Sequence, residues 1–201
     1  MAERFTVSDS QPTYSLEGKL LVATPQWQDE NFQRSVCLVV HHDSQGAVGI
    51  VLNREFALDA EQIWQHLGGE QFDLREDMLH LGGPESGPVI ALHNVDEMAE
   101  FETGDGVFMA AQIQTLQSLV KNSLSSLESS CELKIIIGQA DWEAGQLEQQ
   151  MRDGCWLPIE VTPEIVFEEP SLMWPRAMAE VGNSFVRAIT GAKPTRDALL
   201  N

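Results

Sequence analysis

The sequence predicts an α+β protein with a mixed sheet, and three features predict it. Two β-branched apolar runs, residues 35–41 and 47–53, flank a turn that ends in Gly46, which is the pattern of a tight hairpin. A separate run at residues 133–138 reads as another buried strand. Between these lies a helix over residues 111–127, whose stripe of Ile113, Leu116, Val120, Leu124 and Leu127 has helical spacing. Strands interrupted by helices, with at least one hairpin, define the class.

The elements follow in order. Residues 1–15 and 190–201 read as flexible tails, and residues 16–189 as a single domain without repeats or low-complexity linkers. A strand over residues 20–24 stops at Pro25. A turn at residues 43–46 places His41 opposite Val48, Cys37 opposite Leu52 and Ser35 opposite Arg54. Both hairpin strands are apolar at nearly every position, so burial on both faces is expected. Asp59 caps a helix that runs to Leu67, with Gln62 completing the cap, Gly68 beyond its end, and Ala60, Ile63, Trp64 and Leu67 as its apolar stripe.

Short strands are expected at residues 78–81, 89–92 and 107–109, with the glycine-rich residues 82–88 turning between the first two. Residues 145–154 read as a short helix closed by Gly154, and residues 155–161 as a strand whose Pro158 suits an edge. Ser171 caps a last helix to Val181, in which Pro175 fits only near the first turn.

Composition narrows the function. The 201 residues hold 12 Lys plus Arg against 31 Asp plus Glu, a formal net charge of −19. A surface that grips nucleic acid replaces counterions on phosphates with Lys and Arg. This chain has no basic block, so direct nucleic-acid binding and docking to an anionic membrane are disfavoured. No apolar run approaches the ~18 residues of a membrane span. The first residues also lack a secretory pattern, so a cytoplasmic protein is expected. Cys37, Cys131 and Cys155 are far apart, without a Cys-x-x-Cys pair, which argues against both a disulfide scaffold and a zinc site. Cys37, inside VCLVV, reads as a buried, inert thiol.

The hairpin supplies the candidate site. Its open end gathers Arg34, Ser35, Asn53 and Arg54, with Asp29 just upstream. Two arginines meeting at strand ends form a cationic notch suited to a carboxylate or phosphate. The alternative is structural: Arg34 pairs with Asp29 to tie down the crossover, and Asn53 holds a turn. Trp142 and Gln146 line a possible second groove for a peptide or small ligand. The favoured reading of them is structural, as packing anchor and first turn of a helix. The histidines form no metal-ligand spacing, since His41 and His42, adjacent on a strand, point to opposite faces. Residues 82–88 (GGPESGP) hold no Lys or Arg and do not resemble a phosphate-binding loop, although their glycines suit close approach to a neighbouring backbone or ligand. No catalytic motif, metal or cofactor is implied.

Longer motifs then converge. Gly18, Pro25, Asp29, Phe32, Arg34-Ser35-Val36, His42, Gly46-Ala47, Gly49 and Asn53-Arg54 stand in order, followed by Gly82-Gly83-Pro84, Trp142, Gly145-Gln146-Leu147-Glu148, Trp156 and Trp174. Across most of residues 18–182 this pattern resembles the AlgH/YqgE family of bacterial proteins. The chain departs from the family at Gln139-Ala140-Asp141 before Trp142, at His41 where Glu is common, and at Glu55 where Pro often follows Asn-Arg.

The resemblance implies a mixed, largely antiparallel sheet bent into a partly closed pseudo-barrel with flanking helices. It carries no firm enzymatic activity. Some members are described as transcriptional regulators, and members are often encoded beside a resolvase-like nuclease. The expected function is therefore a non-enzymatic binding or regulatory protein that acts through a protein partner. The alternative is a sensor of, or weak enzyme on, a small anionic ligand held near Arg34, Asn53 and Arg54. A direct transcription factor follows from the resemblance alone.

Overall fold

The hairpin sits at the centre of the sheet. The computed structural model describes residues 15–55, 78–125 and 131–191. The helix expected from Asp59 lies outside them, as do residues 1–14 and 192–201. Strand β1 (Lys19–Ala23) pairs antiparallel with β2 (Val36–Asp43), which pairs with β3 (Gly46–Val51). His41 faces Val48 as expected, but Cys37 faces Val51 rather than Leu52. A bulge between Val39 and His41 absorbs one residue, as bulges in antiparallel pairs do.

Six further strands complete the sheet: β4 (Leu79–Leu81), β5 (Glu85–His93), β6 (Phe101–Gly104), β7 (Val107–Ala110), β8 (Leu133–Glu143) and β9 (Trp156–Glu160). Their order is β6-β7-β5-β8-β3-β2-β1-β9, with β4 beside β8 in the only parallel pairing among the described residues. Pro158 lies on the edge strand β9, where its missing amide is harmless.

Two strands run longer than expected. β5 begins at Glu85, inside the glycine-rich segment, and a register break between Glu85 and Val89 accommodates Pro88. β8 continues past Gly138 to Glu143 because Gly138, at φ 83°, bends the strand instead of ending it. A Cβ on Gly82 would lie 2.1 Å from the Gly138 carbonyl oxygen. That closeness lets the Gly82 backbone bridge two diverging strands, accepting from the Val51 amide (2.7 Å) and donating to the Ile137 carbonyl (2.8 Å).

Four helices pack on the sheet: α1 (Ile113–Ser125), α2 (Gln146–Arg152), α3 (Pro163–Val166) and α4 (Pro170–Thr190). The last helix starts one residue before Ser171, which is therefore not its cap; Glu169 occupies that position. Pro175 lies inside the helix, two positions further in than expected, and the helix continues past Val181 to Thr190.

Alternation along the strands divides the core. Leu20, Val22, Val36, Leu38, Ile50, Leu52, Ile136 and Ile159 point to one side, together with Val107, Val161 and the α3–α4 residues Val166, Met173 and Ala177. Their intervening neighbours Leu21, Ala23, Cys37, Val39 and Val51 point to the other, under α2 and a group of aromatic rings. A third cluster lies beneath α1. The sheet curls around the first cluster until Gly104 of β6 reaches Val161, just beyond β9. The result is a curled, largely antiparallel half-barrel with α3 and α4 in its concave side.

On the outer side, Gln150 accepts from the indole nitrogens of both Trp142 (2.8 Å) and Trp156 (2.9 Å). His42 Nδ1 accepts the Leu16 amide (3.0 Å), so its Nε2 donates to Glu148 (3.2 Å). The Trp–GQLE–Trp motif thus ties α2 to the hairpin. Cys37 is fully buried among these groups, and burial pushes its thiol pKa up.

Gly49 leaves no room for a side chain. A Cβ there would stand 2.7 Å from Cys37 Sγ and 2.8 Å from Trp142 Cζ3. Gly49→Ala is expected to cost about 1–3 kcal/mol by overpacking. In a double-mutant cycle with Cys37→Ala, urea unfolding should give a coupling of at least about 0.5 kcal/mol. A neutral Gly49→Ala would contradict this packing.

Candidate functional site

Where β3 ends, a side chain takes over from the ladder. Asn53 is buried; its Oδ1 accepts the Val36 amide (2.9 Å) and its Nδ2 donates to the Arg34 carbonyl (2.9 Å). These two bonds bracket the entry to β2. Arg34 stands at φ 53°, the single non-glycine residue with positive φ among the described ones. A left-handed conformation costs an ordinary L-residue about 1–2 kcal/mol, so it persists where surrounding bonds hold it.

This conformation aims Arg34 at α4. Its guanidinium lies 5.7 Å from the Trp174 ring centroid, and the Trp174 indole donates to the Ala23 carbonyl (2.8 Å), which fixes the ring. Arg54 Nη2 donates to the Gln33 carbonyl (2.6 Å), and partial burial lowers its pKa from the ordinary arginine value. Asp29 spends its carboxylate on its own turn, accepting the Asn31 (2.9 Å) and Phe32 (3.1 Å) amides. Among the described residues Arg34 and Asp29 form no ion pair, so the expected structural tie is not the one found.

Arg34, Asn53 and Arg54 line one open cleft of about 500 Å³, closed on its far side by Pro170, Ser171 and Trp174 of α4. The first turn of α4 holds no acidic residue, and its N-terminal position makes no side-chain capping bond. The positive end of a 21-residue helix therefore faces the same space as two arginines.

The other expected site residues lie elsewhere. Ser35 is fully buried, and its hydroxyl donates to the Phe32 carbonyl (2.6 Å). Trp142 is packed on the outer side of the sheet, and Gln146 accepts the Glu143 amide (2.9 Å) at the start of α2. Neither lines the cleft. The α4 residues Ser171 and Trp174 were not among the expected site residues. No local pattern in the sequence connects them to Arg34, some 140 positions away.

A second cavity of about 640 Å³ adjoins the first, sharing Glu55 and Pro170 with it. It contains two buried titratable groups that no motif flagged. Burial lowers the His80 pKa to about 4, helped by the charge of Lys134, and lowers that of Lys134 to about 8 against the opposing pull of Glu168 and Glu169. Among the described residues no cluster of His, Cys, Asp and Glu could hold a metal ion. No described helix is long and apolar enough to cross a membrane.

Removing the Asn53 amide should be costly, because the buried Val36 amide loses its partner. Asn53→Ala is expected to lose about 2–4 kcal/mol in urea unfolding, at about 1–3 kcal/mol per unsatisfied buried group. Asn53→Asp keeps the acceptor for Val36 and should lose less. A loss below about 0.5 kcal/mol in Asn53→Ala would show that the backbone holds this corner unaided.

Comparison with known proteins places this geometry. The AlgH-like family model, DUF179, matches residues 20–186. A UPF0301 protein of Chlorobium limicola is 30% identical over 172 residues, covering 84% of this chain and 88% of that protein. One from Coxiella burnetii is 32% identical over 176 residues, covering 85% and 91%. The solution structure of the AlgH protein from Pseudomonas aeruginosa superposes with a TM-score of 0.65 at 28% identity, over 94% of this chain and all of that one. A crystal structure from Corynebacterium diphtheriae, 19% identical, shares the fold with a TM-score of 0.61. The chain, with its half-barrel and its Arg34–Asn53 corner, belongs to the AlgH-like DUF179 family.

Proposed function

We propose that the protein binds a small anionic ligand, a phosphorylated or carboxylated metabolite, in the cleft between Arg34, Arg54 and the N-terminus of α4. The observation that carries this reading is the convergence itself. Two arginines in a chain with a net charge of −19 meet at one helix N-terminus whose cap residue, Glu169, makes no side-chain capping bond. Each supplies a planar array of donors, and Ser171 of the first turn of α4 lines the same space.

The cleft has no nucleophile paired with a base, which favours binding over catalysis there. A regulatory role through a protein partner is the complementary reading. It is favoured by the last turns of α4, where Phe185, Val186 and Ile189 are exposed. Three free cysteines suit a cytoplasmic setting.

The test is a thermal-shift panel of inorganic phosphate, pyrophosphate, nucleotides and dicarboxylates on wild type, Arg34→Ala and Arg54→Gln. A ligand at 100 times its dissociation constant stabilises by about 2.7 kcal/mol, which appears as a raised midpoint. Wild type is expected to shift with at least one anion class, and both variants to lose the shift while still unfolding cooperatively. A flat panel, or shifts that survive in Arg34→Ala, would remove the anion site.

A further inference from the structure

The larger cavity is built for different chemistry. β4 runs parallel to β8 with His80 beside Ile136, so His80 and Lys134, two positions along β8, project to the same face. Lys134 is only 5% exposed and His80 only 2%. One of the three Lys134 Nζ protons goes to the Glu168 carbonyl (3.0 Å). The Glu168 carboxylate pairs with Arg176; it and Glu169 act on Lys134 through space, without an ion pair to Nζ among the described residues. His80 Nδ1 is buried without any hydrogen-bond partner, a rare arrangement that leaves it open to a group entering the cavity. Met78, Leu133 and Phe167 supply apolar wall.

A buried amine held by a carbonyl rather than by a carboxylate is poorly stabilised as a cation. It is therefore partly neutral near physiological pH, and a neutral lysine is a nucleophile. We propose that Lys134 is the reactive amine of a second site, condensing with a small neutral aldehyde or ketone admitted to this cavity. The Nζ lone pair adds to the carbonyl carbon, and one of the two protons of the neutral amine passes to the oxygen to give a carbinolamine; the second leaves nitrogen in the next step. Loss of that oxygen as water leaves a carbon–nitrogen double bond, with no oxidant or reductant consumed. His80 Nδ1 is the positioning atom, hydrogen-bonded to the carbinolamine oxygen. Glu55, Glu132 and Glu169 also line the cavity and disfavour an anionic carbonyl compound, so a neutral one is selected. The proposal does not rest on the anion cleft.

Only four lysines are present, which makes the experiment direct. The full chain is treated with propanal and sodium cyanoborohydride, and alkylation is followed lysine by lysine by peptide mass spectrometry. The α-amine, whose ordinary pKa is about 8, is scored separately. Lys134 should be alkylated at least about tenfold faster than Lys19 at pH 7.5, since a neutral amine fraction is what reacts. Its rate should level off above pH ~8, while that of Lys19 keeps rising toward pH ~10. His80→Gln should slow Lys134 several-fold and leave Lys19 unchanged. A Lys134 rate no faster than that of Lys19, or a His80→Gln rate equal to wild type, overturns the proposal.

Discussion

The open end of the half-barrel depends on one side chain. Asn53 replaces the backbone ladder where β3 stops, and it does so with both halves of its amide. The acceptor half satisfies the Val36 amide, and the donor half holds the Arg34 carbonyl. A residue with only an acceptor or only a donor would leave one of the two strand-end groups without its partner. Because the Arg34 carbonyl is held, the residue stays left-handed, and its side chain crosses to Trp174 instead of returning to Asp29. The indole bond to Ala23 then fixes α4 against β1, so the cleft, the helix and the sheet share one set of constraints.

Much of the fold was legible in the sequence because it was written in local alternation. The hairpin, the centrality of its strands and the short helix after Gly145 all follow from spacing within a dozen residues. What local spacing missed was long-range or backbone-level. The bulge at Val39–His41 has no side-chain signature, and the extension of β8 depends on Gly138 bending where glycine more often ends a strand. Pro170, rather than Ser171, opens α4 because a proline at the first helical position needs no amide partner. The site divided in the same way. Arg34, Asn53 and Arg54 flank one hairpin and could be grouped from the sequence, whereas the α4 half of the cleft is distant in the chain. Lys134 was concealed within an apolar run, and only the parallel pairing of β4 brings His80 alongside it.

The two adjoining cavities have opposite electrostatic character. One presents arginines and a helix N-terminus, the other a shielded amine beneath a ring of carboxylates. Glu55 stands on the boundary between them. A carboxylate there lines both an anion-attracting space and an anion-repelling one, and charges further off than the ~8 Å screening length at physiological salt act on them weakly. Remote repulsion from the rest of the acidic surface is screened much more effectively than these local contacts. The net charge therefore bears on solubility and approach rather than on what the cleft holds.

The most direct test of the Arg34 corner is a proton–nitrogen correlation titration with inorganic phosphate, followed at the five tryptophan indole resonances. The account predicts that the Trp174 indole signal moves along a saturable curve, together with the guanidinium signals of Arg34 and Arg54, while those of Trp142 and Trp156 stay fixed on the opposite side of the sheet. A Trp174 signal that does not move, or shifts spread evenly over all five indoles without saturation, would contradict an anion site at this corner.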